Sequence, residues 1–493
     1  MSFATHYPVL QVVVPLLAAP LCVIVRHGPL SWFIALLASL ASLFIAASLL
    51  AQTLDEGIIS YAIGGWAPPW GIEYRVDTLD AFVLVIVAAI GTVVLLYARR
   101  SVATEIDAQK HHLFYAAYLL CLIGLLGIAI TGDAFNLFVF LEISSLATYA
   151  LVSMGKDRRA LTAAYQYLIM GTLGATFYLI GIGLLYMVTG TLNMADLAER
   201  LPPLFDSRTV RAALAFLTVG ISLKLALFPL HLWLPNAYTY APSVVTAFLA
   251  GTATKVAVYA LIRVIFTIFG VEFALVAMPL DKILLPLSMI AILSASMVAI
   301  FQDDAKRLLA YSSVAQIGYI IAGISLASVT GLTSALVHLF NHALMKGGLF
   351  LALGCVVYRL GSAQIKDLAG LGRCMPWTMA AFVGGGLSLI GVPLTAGFIS
   401  KWYLVVGALE KGLWPVAAIV LIGSLLAVIY VWRVIETAYF KPYEGKATVR
   451  EAPLSLLAPT WLLILANFYF GIDTDLTAGV ARQAALQLMG IAP

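Results

Sequence analysis

Charged residues are scarce in this chain of 493 residues: they make up 11% of it, whereas a soluble domain carries about 25%. Hydrophobic residues make up 62%, and apolar runs of about 20 residues, long enough to cross a bilayer, recur along the whole chain. Low-complexity segments, basic tails and long linkers are absent, and the net charge of +4 is small. The composition indicates a polytopic membrane protein without a sizeable soluble domain, and it offers no feature of a nucleic-acid-binding protein.

Cysteine is also scarce, and its spacing excludes the common metal motifs. No two of the four cysteines have the C-x-x-C spacing, so nothing supports ligation of haem, zinc or an iron–sulfur cluster, and we expect no cofactor. We interpret them as buried small hydrophobic side chains. The first apolar run, about residues 9–25, lacks a basic n-region and a small-residue cleavage site, so we expect a retained helix. The cysteines are Cys22, Cys121, Cys355 and Cys374.

Fourteen apolar segments have the length and hydropathy of membrane-spanning helices. The seventh, eleventh and twelfth are too long for one straight crossing. Proline interrupts the seventh at Pro229 and Pro235 and the twelfth at Pro393, while the eleventh contains Gly347-Gly348. We therefore predict an all-α polytopic protein in which the seventh and twelfth spans are broken helices. The predicted spans are residues 8–25, 30–51, 79–99, 112–131, 134–154, 162–187, 210–240, 243–266, 283–301, 308–327, 331–357, 377–409, 412–439 and 453–472.

Lysine and arginine cluster in the loops that follow the odd-numbered spans, whereas loops after even-numbered spans contain few of them. The exception is 188–209, where Arg200 and Arg208 are accompanied by acidic residues. The positive-inside rule then predicts that both termini lie outside, in agreement with an even number of spans. The clustered residues are Arg99, Arg100, Lys110, Lys156, Arg158, Arg159, Lys306, Arg307, Arg359, Lys366, Arg373, Lys441, Lys446 and Arg450.

The two proline-broken spans occupy matching places in two halves of the chain. Spans four to eight and nine to thirteen each have the broken helix as their fourth member, and a unit of five spans must be inverted relative to the next. Broken helices at matching positions indicate a transport site. We predict three N-terminal spans in 1–110, one five-helix repeat in 111–267, an inverted second repeat in 283–440, and the fourteenth span in 441–493.

Seven ionisable side chains lie away from the ends of predicted spans, where charge is costly. Each costs about 2.5–3.5 kcal/mol on insertion scales, so seven facing lipid would cost roughly 20 kcal/mol, more than the net stability of a typical fold. We therefore expect them to face the bundle interior, to pair, or to contact water. They are Glu142, Lys224, Lys255, His338, His342, Lys346 and Lys401.

Each of these residues also has a purely structural interpretation. Glu142 and Lys224 can be interpreted as a static ion pair, and His338 and His342 as hydrogen-bonded structural histidines. Near the cytoplasmic end of span thirteen, Arg433 and Glu436 favour a snorkelled pair over a functional one. His231, just after Pro229, is an additional candidate for the broken segment.

Lysine, histidine and glutamate in one buried row are the side chains that proton transfer needs. Burial lowers the pKa of a lysine and a nearby carboxylate raises it again, so a Glu–Lys pair can make a lysine exchange its proton near neutral pH. Histidine titrates in that range already, and broken helices admit water. Arginine, which does not deprotonate in proteins, is found only toward span ends.

Four ordered blocks resemble a known family. They are "SLKLALFPLHLWLPNAYTYAPSVVTAFLAGTATKVAVYALIRV", "LLAYSSVAQIGYIIAG", "HLFNHALMKGGLF" and "GVPLTAGFISKW". Within about residues 70–440 the chain resembles the antiporter-like subunits shared by Mrp-type cation/proton antiporters, respiratory complex I and membrane-bound hydrogenases. The resemblance implies fourteen helices, two inverted five-helix units and a proton path through the seven residues above.

The resemblance also implies partners. Lysine at position 401 argues against the complex I subunit that typically has glutamate there. The stretch "FPLHLWLPNAYTYAPS" and the overall length are most similar to the D-type member of Mrp-type antiporters, which works beside a larger A-type paralogue. We expect a proton-translocating subunit of a sodium/proton antiporter in the inner (plasma) membrane, in contact with other subunits and lipids. A proton-pumping subunit of a redox-driven complex and a structural scaffold are the alternatives.

Overall fold

The protein is described by a computed structural model over residues 3–443 and 449–491, and Lys446 of the predicted charge clusters lies outside them. Most of the described chain is α-helix. The helices are α1 Tyr7–Val25, α2 Gly28–Glu56, α3 Thr78–Glu105, α4 His111–Ile130, α5 Ala134–Ser153, α6 Arg159–Thr189, α7 Met194–Arg200, α8 Arg208–Leu225, α9 Trp233–Tyr240, α10 Ser243–Gly251, α11 Ala253–Ile262, α12 Asp281–Ile300, α13 Ala305–Ser325, α14 Val329–Leu360, α15 Leu371–Cys374, α16 Pro376–Ile390, α17 Ala396–Glu410, α18 Trp414–Phe440, α19 Leu454–Ile472 and α20 Asp475–Leu488.

The predicted fold class is confirmed. Within the described residues, twelve helical segments are long and apolar enough to cross a membrane. The predicted seventh span is split into α8 and α9, and the predicted twelfth into α16 and α17, so the fourteen predicted crossings are all accounted for. The eighth crossing, predicted as a single helix, breaks at Thr252 between α10 and α11 and continues as a π-helix, Arg263–Ile268.

Left-handed residues and prolines end the first half of each broken helix. Ala226 adopts φ 59° directly after α8, and Pro229, which has no N–H to donate, follows in the gap. Gly391 adopts φ 88° directly after α16, and Pro393 follows there in the same way. Because these gaps lie inside the bundle, the helix ends expose free carbonyl groups to neighbouring side chains.

The eleventh span is not broken at its glycine pair. Helix α14 runs without interruption for 32 residues, about 48 Å, which exceeds the hydrocarbon thickness and requires a tilt or an extension beyond it. Gly347 and Gly348 instead allow α19 to pack closely, since a Cβ at either position would lie under 3.0 Å from Leu463 or Ile464. Helix α14 packs against α3, α10, α13, α16, α17, α19 and α20, so it occupies the centre of the bundle.

Four elements outside the predicted spans border the same end of the molecule. Strands β1, Ile59–Ala62, and β2, Glu73–Val76, pair antiparallel in the loop between α2 and α3. The short helix α7 follows α6, and α20 continues after α19. None of these elements was predicted, because none has an apolar run of membrane length.

Helix starts and bridges recur at a nearly constant spacing in the two halves. Helices α12, α13 and α14 begin 170 or 171 positions after α4, α5 and α6. Asp133 forms an isolated β-bridge with Asn193, and Asp304 forms one with Gln364, each residue 171 positions later. This spacing agrees with two repeated five-helix units, while the domain boundaries stay a prediction.

Candidate functional site

Glu142 and Lys224 form a buried ion pair between α5 and the end of α8. The Lys224 ammonium donates to Glu142 Oε1 at 3.0 Å and to Ser145 Oγ at 2.8 Å. The Lys224 side chain is 6% exposed, whereas that of Glu142 is 26% exposed. The carboxylate therefore lies toward the surface of the subunit, and the ammonium lies toward its interior.

Lys255 is fully buried at the break between α10 and α11, without a carboxylate partner among the described residues. Its ammonium donates to the Ala250 carbonyl and to Thr254 Oγ1. The break at Thr252 leaves the Ala250 carbonyl available, so the helix defect itself supplies the lysine with an acceptor.

A small cavity separates Lys224 from the helix of Lys255. Its volume is about 30 Å³, and its lining includes Ser145, Thr148, Lys224 and Ala253. A cavity needs roughly 10–15 Å³ of such volume to hold one water molecule. The space between Lys224 and α11 therefore has room for a water molecule and polar groups to bind it.

The three ionisable groups of α14 are buried and have different partners. His338 lies between Ser400 Oγ, 2.7 Å from its Nδ1, and Gln316 Oε1, 2.9 Å from its Nε2. Lys346 donates to the Leu309 carbonyl at 2.8 Å and to Ser312 Oγ. Neither ring nitrogen of His342 has a hydrogen-bonding partner among the described residues, so this buried imidazole requires water.

Lys401 lies just after the gap in the second broken helix and caps the helix before it. Its ammonium donates to the carbonyl groups of Leu389 and Ile390 at 3.0 and 2.9 Å and to Ser424 Oγ at 3.0 Å. It also lies 4.8 Å from the centre of the Tyr319 ring. Cations are stabilised at helix C-termini and over aromatic faces, and no carboxylate pairs with Lys401 in the described structure.

The buried bases lie in a series in which the rings of His338 and His342 stack on α14 with centroids 6.1 Å apart. His342 interacts electrostatically with Lys255, Lys346 and His338, and His338 interacts with Lys401. Lys346 is about 12 Å along α14 from His338, the histidine whose partner Ser400 directly precedes Lys401. The series runs from Lys255 through His342 and His338 to Lys401, with Lys346 as a side branch near Lys255. The order in which protons would pass along these residues stays a prediction.

His231, the additional candidate, lies in the gap between α8 and α9 and outside this series. Its ring stacks on Phe228 with centroids 5.3 Å apart and faces Tyr311 at 6.4 Å. Its Nδ1 has no partner among the described residues. The structure thus places it in the broken segment, as predicted, without bringing it to the other bases.

Two minor predictions are wrong. Arg433 forms its ion pair with Asp303 at 3.8 Å, rather than with Glu436. Cys374 is only half-buried, whereas Cys22, Cys121 and Cys355 are buried as predicted.

A second buried charge cluster was not predicted from the sequence. Arg263 donates to Asp77 Oδ1 at 2.5 Å and to Asp80 Oδ1, while the Tyr259 hydroxyl donates to Asp80 Oδ1 at 2.5 Å. All four line a cleft of about 520 Å³ that α20 and Arg75 also border. Asp77 and Asp80 lie at the start of a span, where the pattern "VDTLDAF" is typical of a capping box, so no signal of an ion pair was present.

Another cleft of about 390 Å³ lies on the face that carries the lysine- and arginine-rich loops. Lys156 and Arg159 line it together with Glu105, Asp304 and Lys306. Glu105 accepts from the Ser243 backbone N–H at 2.8 Å, and the Lys306 ammonium donates to the Ala241 carbonyl at 3.2 Å. The two clefts lie at opposite ends of α3, with Asp77 and Asp80 at its start and Glu105 as its last residue, so they open on opposite faces of the bundle.

Fold and site together define a multi-pass membrane protein whose core holds a row of buried, mutually interacting bases. Residues 131–427 match the family described as "NADH:quinone oxidoreductase/Mrp antiporter, TM". The chain belongs to this family.

Relatives of two kinds match nearly the whole chain. It is 46% identical to the N-type subunit of the NADH-quinone oxidoreductase of Desulforudis audaxviator, with 98% of each chain covered. It is 27% identical to the D-type subunit of the Na(+)/H(+) antiporter of Alkalihalophilus pseudofirmus, covering 98% of this chain and 97% of the relative.

Solved structures of both kinds also match. A chain of the Mrp complex from Dietzia sp. DQ12-45-1b aligns with a TM-score of 0.90 at 25% identity, covering 99% of this chain and 98% of that chain. A chain of the membrane-bound sulfane sulfur reductase, an archaeal respiratory membrane complex, aligns with a TM-score of 0.90 at 30% identity, covering 98% and 97%. The fold is therefore shared by antiporter and respiratory assemblies.

Proposed function

We propose that this protein is the proton-translocating subunit of a multi-subunit sodium/proton antiporter in the plasma membrane. The observation that carries the proposal is the series of buried bases, in which one lysine has a carboxylate partner and the others have only neutral acceptors. Protons would move along Glu142, Lys224, Lys255, His342, His338 and Lys401, with Lys346 as a branch. Partner subunits, including a larger A-type paralogue, would complete the cation path.

Charge balance supports a mobile proton rather than a permanent set of charges. Lys255, Lys346 and Lys401 have hydroxyl and carbonyl acceptors but no carboxylate in the described chain, so simultaneous protonation would place three uncompensated cations in one bundle. Such charges are costly in a low-dielectric interior. A proton on one base therefore disfavours a proton on the next, and the series can pass protons one at a time.

A change in the Glu142–Lys224 ion pair would control proton transfer along this series. Transfer of one charge across 100 mV is worth about 2.3 kcal/mol. A change in the distance between this carboxylate and this ammonium, in a medium less polar than water, alters their interaction by an amount of that order. Because the Glu142 side chain is 26% exposed, an adjacent subunit or the loss of its own charge can produce such a change.

Orientation follows from the loop charges as a further part of the proposal. The positive-inside rule places the cleft of Lys156 and Lys306 toward the cytoplasm and the cleft of Asp77 and Arg263 toward the outside. Protons would then enter the series near Lys224 from one side and leave near Lys401 on the other. Both termini would lie outside.

The same residues can serve a proton pump driven by electron transfer in a partner subunit. The 46% identity to an N-type subunit of a NADH-quinone oxidoreductase favours this second candidate. Affinity purification of the tagged chain in mild detergent discriminates between the two. Co-purification of small antiporter subunits supports the antiporter, and co-purification of quinone- or hydrogen-oxidising subunits supports the pump.

Transport assays on the assembled complex test the shared core of both candidates. The variants Glu142→Ala and Lys224→Ala are assayed in everted vesicles. For an antiporter the assay measures the collapse of a pH gradient on addition of sodium, and for a pump it measures proton uptake driven by an electron donor. We expect both to lose at least nine-tenths of the rate, because each removes one member of a buried pair. Glu436→Ala, which removes a carboxylate at the end of α18 with no ion-pair partner in the described structure, is the matched control and should transport normally. Full activity of Lys224→Ala would disprove the proposal.

A further inference from the structure

His338 is held at both ring nitrogens by neutral side chains from two different helices. Ser400 of α17 lies at Nδ1 and Gln316 of α13 lies at Nε2, and the histidine is 1% exposed. Neither residue belongs to the row of ionisable groups. Both are fixed in place, since Ser400 is fully buried and Gln316 is 1% exposed.

Gln316 directs its amide oxygen toward one nitrogen of the His338 ring. The atom that faces Nε2 is the amide oxygen, Oε1, at 2.9 Å. An amide oxygen only accepts hydrogen bonds, so Nε2 must carry a hydrogen in both forms of the ring. The proton that His338 gains and loses is therefore the one on Nδ1, which faces Ser400.

Ser400 has two acceptors for its single hydrogen. Its Oγ lies 2.7 Å from His338 Nδ1 and 3.2 Å from the carbonyl oxygen of Gly397, one turn earlier in α17. When Nδ1 is bare, the hydroxyl donates to it. When Nδ1 carries a proton, that nitrogen donates to Oγ, and the hydroxyl must direct its own hydrogen to Gly397. The hydroxyl rotates and keeps its hydrogen, so the only proton exchanged is the one bound at Nδ1. Nδ1 takes this proton from, and returns it to, a water molecule that reaches the ring while the hydroxyl is turned to Gly397.

We propose that Ser400 and Gln316 are positioning residues that let His338 carry a proton on Nδ1 by accepting from the imidazolium at both ends. This proposal rests on the proposed proton path and assigns the exchanging atom within it. Ser400 directly precedes Lys401 in α17. Rotation of its hydroxyl toward the Gly397 carbonyl therefore links the protonation of His338 to the helical turn that carries Lys401.

The charged and titratable groups around His338 do not replace these two contacts. His342 stacks at 6.1 Å on the same helix, and Tyr319 of α13 lies at 5.6 Å. Lys401 of α17 and Lys255 of α11 act on it electrostatically as like charges. Among the described residues no carboxylate pairs with the ring, so hydrogen bonds to Ser400 and Gln316 are the interactions that stabilise its protonated form.

The pH dependence of transport separates this role from a purely structural one. The rate is measured from pH 6 to 9.5 in vesicles containing the complete complex, normalised to the amount of assembled subunit. In the plot of transport rate against pH, one limb follows the protonation of His338. We expect Ser400→Ala to move this limb to lower pH by about one unit, because the hydrogen bond from the imidazolium to Ser400 is lost. Ser400→Thr keeps the hydroxyl and should restore the original profile.

The variant Gln316→Glu should shift the pH profile in the opposite direction. It tests the proposal even if Ser400→Ala does not fold. A carboxylate at Nε2 stabilises the imidazolium, so the same limb should move to higher pH. Shifts in opposite directions cannot arise from a general loss of packing. A uniform loss of rate at every pH in Ser400→Ala, or a shift of both variants in the same direction, would overturn the proposal.

Lys224→Ala, measured in parallel, keeps the two proposals distinguishable. Full transport by the Lys224→Ala variant would disprove the proposed proton path itself. The other outcome is that Lys224→Ala is inactive while the pH profiles of transport by Ser400→Ala and Gln316→Glu are unshifted. This result would disprove only the roles proposed for Ser400 and Gln316.

Discussion

Arg263 illustrates what a buried charge requires from its neighbours. It is 5% exposed and contacts two carboxylates, Asp77 and Asp80, while the Tyr259 hydroxyl donates to Asp80 as well. The cluster joins the start of α3 to the end of α11, the helix that carries Lys255. It therefore stabilises the position of that lysine without touching it.

Replacement of Arg263 should destabilise the protein strongly. Arg263→Leu leaves two buried carboxylates without their cation, and removal of one partner from a buried pair costs about 3–5 kcal/mol. The unfolding temperature of the purified protein in detergent measures this loss. Arg159→Leu, which removes an exposed arginine paired with Asp157, is the control and should leave it unchanged. Recovery in the triple variant that adds Asp77→Asn and Asp80→Asn would attribute the loss to charge, and an unchanged unfolding temperature of Arg263→Leu would contradict the prediction.

Asp133 begins α5 outside the membrane-spanning segment, and burial raises the pKa of its carboxyl group. The folded state thus binds a proton more readily than the unfolded state, and stability is lost as pH rises through the raised pKa. Asp133→Asn keeps the oxygen that accepts from the Asn136 N–H and removes the charge. We expect the variant to match the wild type near pH 4 and to exceed it at pH 7 in unfolding temperature. A lower value at pH 7 would contradict this.

At the scale of the helix, close approach of α6 and α8 determines where Lys224 lies. A Cβ at Gly220 would lie 2.7 Å from the Gly174 carbonyl oxygen, and one at Gly174 would lie 2.8 Å from that of Gly220. Such distances require the absence of a side chain on both helices. Lys224 follows Gly220 by one turn, so separation of the helices would move its ammonium away from Glu142.

Gly220→Ala should therefore impair both stability and transport. Overpacking costs about 1–3 kcal/mol, and the displaced ion pair should lower the transport rate several-fold. Gly183→Ala, on the same helix as Gly174 but with no atom within 4 Å of the added Cβ, is the matched control. It should stabilise the protein by up to about 1 kcal/mol, because alanine favours the helix. Equal behaviour of the two variants would contradict the close-packing argument.

Both proline-broken helices, like the eighth crossing with Lys255, use a buried side chain to satisfy carbonyl groups that the break releases. Lys401 donates to Leu389 and Ile390 after α16, and the Trp233 indole donates to the Leu223 carbonyl after α8 at 3.0 Å. In the second half the group that stabilises the break is thus a titratable one. The proton occupancy of Lys401 and the stability of this helix end are physically linked.

For the whole molecule, the distribution of loop charges makes a prediction about topology. Both termini should lie outside, so alkaline phosphatase fused after the last residue should be active and a green fluorescent protein fused there should be dark. A cysteine introduced at Lys156 should react with a membrane-impermeant reagent only from the cytoplasmic side. Fluorescence of the C-terminal fusion would reverse the assignment of the two clefts.

The sequence by itself determined the class of the protein, its fourteen predicted crossings and the ionisable residues in the middle of its spans, although not the buried cluster of Arg263 with Asp77 and Asp80. Apolar runs, prolines and mid-span lysines are local signals, and a charge inside an apolar run must face the interior wherever that helix packs. The breaks at Pro229 and Pro393 followed from the same local chemistry.

Only the tertiary structure decided which side chains meet. The order of the series, with His338 rather than Lys346 beside Lys401, depends on how α13, α14 and α17 cross. The contacts of His338 with Gln316 and Ser400, and of Arg263 with Asp77 and Asp80, join residues 22 to 186 positions apart. Helix packing brings such residues together, and packing depends on the shapes of many side chains at once, which no single stretch of sequence contains.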